Sequence, residues 1–317
     1  IRYVIDSGLA RVSRYSHRHK IQRLPIEPIS QASANQRQGR CGRTAPGLCI
    51  RLYDEPSFAN RPRYSDAEIL RTNLASVILQ LLVLKVHNLT QFPFIDPPAP
   101  RMIRDGLATL TELGAVNHQQ RLTPLGRQLS HLPIDPRLAR MLVTAAQRQC
   151  LHEVLAIVSG LSVQDPRERP LDKQQQADQA HLPFKDKRSD FVALLNLWHH
   201  SEAIRVESSQ NQWRKQLQRQ FINVAKMREW RDIHHQLKSA LKQMALPFNQ
   251  QAATYESIHQ ALLSGLLSQV CLKDEKKTYR SCHGRLVTLF PGSGLYKQPP
   301  EWLLVAEMVE TSQLYAR

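Results

Sequence analysis

Acid and long apolar runs are what this 317-residue chain lacks most plainly. Asp and Glu number 27 against 43 Lys and Arg, giving a formal charge of +16 and an isoelectric point near 10. That balance points to a polyanionic partner, most simply nucleic acid. A solubilising basic surface is the other reading of charge alone. No stretch approaches the ~18 apolar residues of a membrane-crossing helix. The best candidate, Val77 to Val86, is broken by Gln80 and Lys85. The five cysteines (Cys41, Cys49, Cys150, Cys271, Cys282) are odd in number, scattered and free of any C-x-x-C pair. They argue against a disulfide framework or a zinc site and for a reducing, cytoplasmic setting. No G-x-S-x-G occurs, and His199-His200 and His234-His235 are adjacent pairs, not the i, i+4 spacing of a helical metal site. No metal ligand set is therefore assigned. A G-x-x-x-x-G-K-[ST] loop is also missing, so this chain holds no Walker A cradle for phosphates. There is no initiator Met and no signal-like start. Ile1 opens a β-type run, and the chain reads as a piece of a longer protein.

What is present concentrates near the N-terminus. Residues 1–43 hold nine Lys/Arg against Asp6 and Glu27, a local charge of +7. Within them stands Gln36-Arg37-Gln38-Gly39-Arg40-Cys41-Gly42-Arg43. A guanidinium is a planar, permanently charged fork that matches phosphate oxygens. Glycine lets backbone approach a ligand closely, and a leading Gln can orient a water. Spacing alone says that this octapeptide suits phosphate; a basic surface loop is the alternative.

The octapeptide resembles the last signature motif of superfamily 2 helicases, Gln-Arg-x-Gly-Arg-x-Gly-Arg. The preceding Ile29-Ser30-Gln31-Ala32-Ser33-Ala34 narrows the resemblance to the DEAH-box branch, and it is closest to the bacterial HrpA-type RNA helicases. The resemblance implies an ATP site at Gln36, Gly39, Arg40 and Arg43. Gln36 would position the attacking water, and Arg40 and Arg43 would reach the γ-phosphate. Cys41 is read as a small filler.

The resemblance implies a mixed, mostly α chain in four parts: residues 1–60 ending a second RecA-like α/β domain, 61–134 a winged helix, 135–266 a helical-bundle ratchet, and 267–317 a partial OB-fold. Ile1 to Asp6 reads as a buried strand, and two extended arms around Ser16-His17-Arg18-His19 as a β-hairpin. Arg14, Arg18 and Lys20 are its phosphate candidates; solvated surface charge is the alternative. Gln36 to Gly42 is expected to open a short helix. Ser65-Asp66-Ala67-Glu68 fits a capping box for one helix carrying Leu70, Leu74, Ile78 and Leu82 on a stripe. Lys85 stands where the family usually has Gly. Met102 to Leu113, then Thr123-Pro124, then Asp135-Pro136 mark further helices. Leu151 to Val163, Trp213 to Lys242 and Tyr255 to Cys271 continue the helical pattern, and Trp213 and Trp230 read as core. Ser162, Gln164 and Arg228 are the candidates to touch RNA in the ratchet, against an ordinary capping or surface role. Arg285 to Phe290 and Trp302 to Val309 read as strands, with Ser293, Tyr296 and Lys297 near a loop that faces nucleic acid in OB-folds. The barrel is expected to be incomplete at Arg317.

No Asp-Glu-Ala-His occurs. Arginine fingers stabilise a transition state that another domain must hold. The expectation is therefore the C-terminal region of an ATP-dependent 3′–5′ RNA helicase. It would supply the arginine-finger motif and RNA-tracking domains, use ATP and Mg²⁺ only in the parent protein, and lack ATPase alone. Its expected partners are the single-stranded tail of a structured RNA and the N-terminal RecA-like domain of the same protein, with no membrane. The alternative is a non-enzymatic nucleic-acid-binding or scaffold module.

Overall fold

The computed structural model describes residues 1–16, 21–23, 25–86, 88–310 and 313–317. The N-terminal segment rests on two parallel strands, β1 (Tyr3–Asp6) and β6 (Leu48–Arg51), in register from Tyr3–Leu48 to Asp6–Arg51. Parallel strands need a crossover. Here the chain leaves β1 as a two-stage hairpin and returns through a helix. β2 (Leu9–Arg11) pairs antiparallel with β5 (Ile26–Pro28), and beyond them β3 (Arg14–Ser16) pairs with β4 (Ile21–Arg23). The hairpin is thus present, and its tip, with Arg18 and Lys20, lies outside the described residues. Gly8 opens the stem at φ +72, where a Cβ would sit 2.5 Å from Arg61 and 2.6 Å from Tyr53. Only glycine fits both demands.

Helix α1 (Gln31–Gln38) follows, capped by Ser30, whose hydroxyl accepts from the Ser33 N–H at 3.2 Å. The arginine octapeptide therefore does not open a helix; it ends one. The cap fixes the start five residues earlier than the sequence expectation, at Gln31 instead of Gln36, and the helix stops before Gly39. A short α2 (Glu55–Ala59), capped by Asp54, leads out of this segment.

The winged-helix region also departs from expectation in one place. The single helix expected from Ser65 is a 3₁₀ turn at Glu68–Leu70 followed by α3 (Ala75–Val83). The capping box does not form: the turn at Glu68 has no side-chain cap, and the Ser65 hydroxyl meets Ser30 and Ser33 instead, while the neighbouring Asp66 accepts from Arg14. Asn73 starts α3 instead, accepting the Ala75 N–H at 2.8 Å. Lys85 takes φ +63 after this helix, so the turn keeps the left-handed form glycine would adopt, and the departure lies in strain. α4 (Pro100–Glu112) follows, and a Val116–Leu122 bridge marks the wing. α5 (Pro124–Ser130) starts as expected, with Thr123 Oγ1 accepting from Gly126 N–H.

The bundle comprises α6 (Pro136–Gln147), α7 (Leu151–Leu161), α8 (Gln174–His181), α9 (Asp190–Glu207), α10 (Gln210–Arg219), α11 (Val224–Gln243) and α12 (Tyr255–Leu263). α7 is its axis, packed by α6, α9, α11 and α12. Trp213 and Trp230 are core, as expected. The run from Trp213 to Lys242 is two helices, because Phe221 turns the chain at φ +57. α12 stops at Leu263, so Cys271, expected on that helix, lies on a strand.

Strands β7 (Val270–Lys273), β8 (Thr278–Ser281), β9 (Leu286–Leu289), β10 (Trp302–Leu304), β11 (Met308–Glu310) and β12 (Leu314–Ala316) close the chain. Trp302 to Val309 is two strands rather than one, since Ala306 and Glu307 turn their N–H groups to the Arg317 carbonyl. The sheet order is β10-β7-β8-β9-β12-β11-β4-β3, so the N-terminal hairpin extends the C-terminal sheet through a parallel β11–β4 pair. No helix among the described residues is long and apolar enough to cross a membrane.

Candidate nucleotide and nucleic-acid interface

The three arginines of the octapeptide divide into two kinds. Arg37 faces inward: Nη1 donates to Asp6 Oδ1 at 2.6 Å and Nη2 to the Leu9 carbonyl at 3.0 Å. The Asp6 side chain is fully buried and also accepts from Gly8 N–H (2.9 Å) and Tyr53 Oη (2.8 Å). Burial alone would raise its pKa. The Gly8 amide, Arg37 and Tyr53 outweigh that and hold the carboxyl below the usual range. Burial and Asp6 together push the Tyr53 phenol up.

Gln36, Arg40 and Arg43 face outward. All three are exposed, and among the described residues none of their side chains makes a hydrogen bond or ion pair. Gly39 has a helical φ of −59, and a Cβ there would meet nothing closer than 3.5 Å. Neither backbone conformation nor packing within the described residues requires glycine there. Cys41 is buried and donates its thiol to the Gln38 carbonyl, in keeping with a filler. The result is a pair of unpartnered guanidiniums and a carboxamide at the C-terminal end of a capped helix. That set can bind an anion with several oxygens. Among the described residues no group of three or more His, Cys, Asp or Glu is placed to hold a metal ion.

The hairpin candidates fare differently. Arg14 is fully engaged: Nε and Nη2 chelate Glu27 at 2.7–2.9 Å, and Nη1 reaches Asp66 at 3.0 Å. These hydrogen bonds raise its pKa further. Arg14 is a strut between the hairpin and the entry to the winged helix, rather than the free phosphate ligand expected.

In the ratchet, Ser162 caps the C-terminal end of α7 and donates to the Val158 carbonyl at 2.9 Å. Gln164 and Arg228 are exposed. The structure brings their elements together: Lys226 Nζ donates to the Asp165 carbonyl at 3.2 Å, and Asn223 N–H donates to Pro166 O. The loop bearing Gln164 thus meets the first turn of α11, which leads to Arg228. Arg167 grips Asp165 through Nε and Nη2. Burial would lower the Arg167 pKa, but Asp165 raises it by more. Sequence reasoning missed Lys226; a lysine in the first turn of a helix after an Asn cap was the available signal.

In the C-terminal sheet, Ser293 donates to Asp190 Oδ2 at 2.5 Å, and the Gly294 N–H reaches Asp190 Oδ1 at 2.9 Å. Ser293 therefore joins this sheet to the N-terminal turn of α9. Lys297 remains exposed beside it, and Lys277 Nζ lies 3.6 Å from the Tyr296 ring centroid.

Three family models match the chain. They are described as the helicase-associated domain (HA2), winged-helix, over residues 106–134; the helicase-associated domain (HA2), ratchet-like, over 135–223; and an oligonucleotide/oligosaccharide-binding (OB) fold over 258–317. Two curated relatives align along the whole chain. One is the ATP-dependent RNA helicase HrpA homolog of Haemophilus influenzae, 53% identical over 325 residues. The other is the ATP-dependent RNA helicase HrpA of Escherichia coli, 52% identical over 323 residues. Each alignment takes in 100% of this chain and 25% of the relative, so the chain spans a quarter of the length of the curated relatives it matches.

Proposed function

Because this chain belongs with the HrpA-type RNA helicases and corresponds to their C-terminal quarter, we propose that the full-length protein is a cytoplasmic, ATP-dependent RNA helicase that moves 3′ to 5′. In that reading this chain supplies the arginine fingers and the RNA-tracking domains. The observation that carries it is the division of labour in the octapeptide. Arg37 is consumed by the fold, while Gln36, Arg40 and Arg43 are left exposed and unpartnered among the described residues.

Magnesium-bound ATP supplies the phosphoryl group and the energy of its transfer to water. The outward guanidiniums fit its terminal phosphate. Arg40 and Arg43 donate to the γ-phosphate oxygens and stabilise charge that spreads over them in the transition state. Gln36, one residue from the anchored Arg37, orients the attacking water. Among the described residues no cluster is placed for the metal, and the metal and the remaining phosphate contacts are assigned to the rest of the protein. The N-terminal RecA-like domain of the same protein is the expected partner, and alone this chain is expected to lack ATPase. The single-stranded tail of a structured RNA passes Gln164 and Arg228 in the ratchet and Lys297 on the turn between β9 and β10; the Arg228 and Lys297 cations neutralise phosphates and Gln164 offers hydrogen bonds.

The test is Arg40→Ala and Arg43→Ala in the full-length protein. ATP turnover is expected to fall by roughly 10²–10³, the scale of losing a transition-state donor. RNA affinity, read by fluorescence anisotropy, should change by less than about threefold, since these guanidiniums face the nucleotide. A protein with no turnover to lose, whose RNA affinity alone drops, would be a binding module and not a motor.

A further inference from the structure

Arg37 occupies an unusual position between two parts that the proposed function would have to connect. It lies on α1, one residue after Gln36 and three before Arg40. Its two η nitrogens grip the chain on either side of Gly8: Asp6, the last residue of β1, at 2.6 Å, and the carbonyl of Leu9, the first residue of the hairpin stem, at 3.0 Å. Gly8 itself is the bend, at φ +72.

A second guanidinium holds the same bend from another element. Arg61 Nη1 donates to the Gly8 carbonyl at 2.8 Å, and its guanidinium lies 3.9 Å from the Tyr53 ring centroid. Ile29 N–H also donates to Gly8 O, closing the stem. The stem therefore has other ties, and Asp6 keeps the Gly8 amide and Tyr53 without Arg37. To the covalent run from β5 through Ile29 into α1, Arg37 adds a side-chain link from the stem to the last turn of that helix, next to the arginine loop.

We infer that Arg37 couples the arginine loop to the hairpin: a displacement of Arg40 and Arg43 at the nucleotide moves α1, and the Arg37 fork transmits it across Gly8 to the hairpin stem. This rests on the helicase reading above. The fork matters because it engages two acceptors at once, one on each side of the bend. A lysine ammonium is a point charge that can follow Asp6 without holding Leu9 O. The carboxylate is fully buried, so the link at Asp6 stays closed: an unpaired buried charge is strongly disfavoured.

The experiment compares wild type with Arg37→Lys in the full-length helicase. ATP turnover in the presence of RNA and strand separation of a duplex with a 3′ single-stranded tail are measured side by side. The readout is ATP consumed per duplex opened. Loss of coupling is expected to raise that ratio about tenfold, while Arg40→Ala lowers both rates together and leaves the ratio near wild type. A rise of less than about threefold in Arg37→Lys, including a parallel fall of both activities, overturns the inference and leaves Arg37 a purely structural clamp. If Arg37→Lys does not melt cooperatively, Asp6→Asn combined with Arg37→Gln takes its place with the same thresholds; it removes both charges while keeping hydrogen-bonding groups. A wild-type protein that neither hydrolyses ATP nor opens a duplex sinks the proposed function itself. That result is distinct from a working wild type beside a variant whose ratio does not move.

Discussion

Along α7 the side chains of Leu151, Val154, Leu155, Ile157 and Val158 are 0% exposed, whereas on β1 and β6 Ile5 is 71% exposed and Ile50 49%. Both regions are apolar in sequence, yet only one covers itself. The bundle closes because α6, α9, α11 and α12 surround α7, and a helix that is apolar on every side needs that many neighbours. A parallel sheet needs cover on both faces, and two strands with one crossover helix cannot provide it. Residues 1–60 are held largely by polar ties, with Asp6–Arg37 and Arg61–Gly8 at the centre. The unpartnered arginines sit on the region that is not self-sufficient, which is what a site completed by another domain requires.

The sharpest way to break this contrast is to attack the bundle. Trp230 is 0% exposed, donates its indole N–H to the Ala156 carbonyl at 2.9 Å and lies 5.4 Å from Trp198, centroid to centroid. Gly160 lies directly under its ring: a Cβ there would be 2.5 Å from Trp230. Trp230→Ala is expected to cost about 3–5 kcal/mol through lost burial and the cavity left behind. Urea denaturation of this chain measures it. A loss below about 1 kcal/mol would mean that α7 is not the centre of stability.

The same contrast explains what could be read in advance. Caps that rely on one residue and its own helix, Thr123-Pro124 and Asp135-Pro136, were legible, and so was the apolar run of α7. The Ser65 capping box was not, because the Ser65 hydroxyl turns away to Ser30 and Ser33 and leaves the turn at Glu68 without a side-chain cap. Arg14 illustrates the same limit at the candidate site. Charge and position in a hairpin suggested a phosphate ligand, while Glu27 and Asp66 had already engaged it. The breaks at Phe221 and at Val305–Glu307 depend on a left-handed φ and on backbone bonds to Arg317, neither visible in composition. Within the octapeptide the resemblance separated Arg40 and Arg43 from Arg37. Only the geometry gave Arg37 partners.

A smaller effect comes from a buried imidazole of the bundle. Burial pulls the pKa of His234 down to about 4 from 6.5, and the positive charges of Lys238 and His235 assist, against Glu202. The ring lies 4.5 Å from Trp198. The unfolded chain binds a proton below about pH 6.5 that the folded chain refuses until about pH 4. Stability is therefore flat above that window and falls as pH drops through it. His181 and His259 are lowered by burial as well and share the slope. His234→Phe should flatten it, at little cost, since His234 Nδ1 is buried without a hydrogen-bond partner in the wild type. Urea midpoints at about pH 7 and pH 5 make the comparison. An equal loss in both proteins would show that His234 does not carry the dependence.

The smallest effect belongs to the other side of the contrast, and it is informative because it is small. Ile5 shares a face of β1 with Tyr3, and both are more than two-thirds exposed, at 71% and 74%. Ile5→Thr keeps a β-branched side chain suited to a strand and removes only apolar surface that already faces water. In this chain it should shift stability by no more than about 0.5 kcal/mol. In the full-length protein the same change is expected to cost at least about 1 kcal/mol, because a completed RecA-like sheet would bury that face. The paired urea midpoints decide it. A cost in the short chain as large as in the long one would mean that residues 1–60 already cover their own strands. Equal near-zero values in both would mean that no further part of the protein packs on β1, and the partnership proposed for this face would have to move elsewhere.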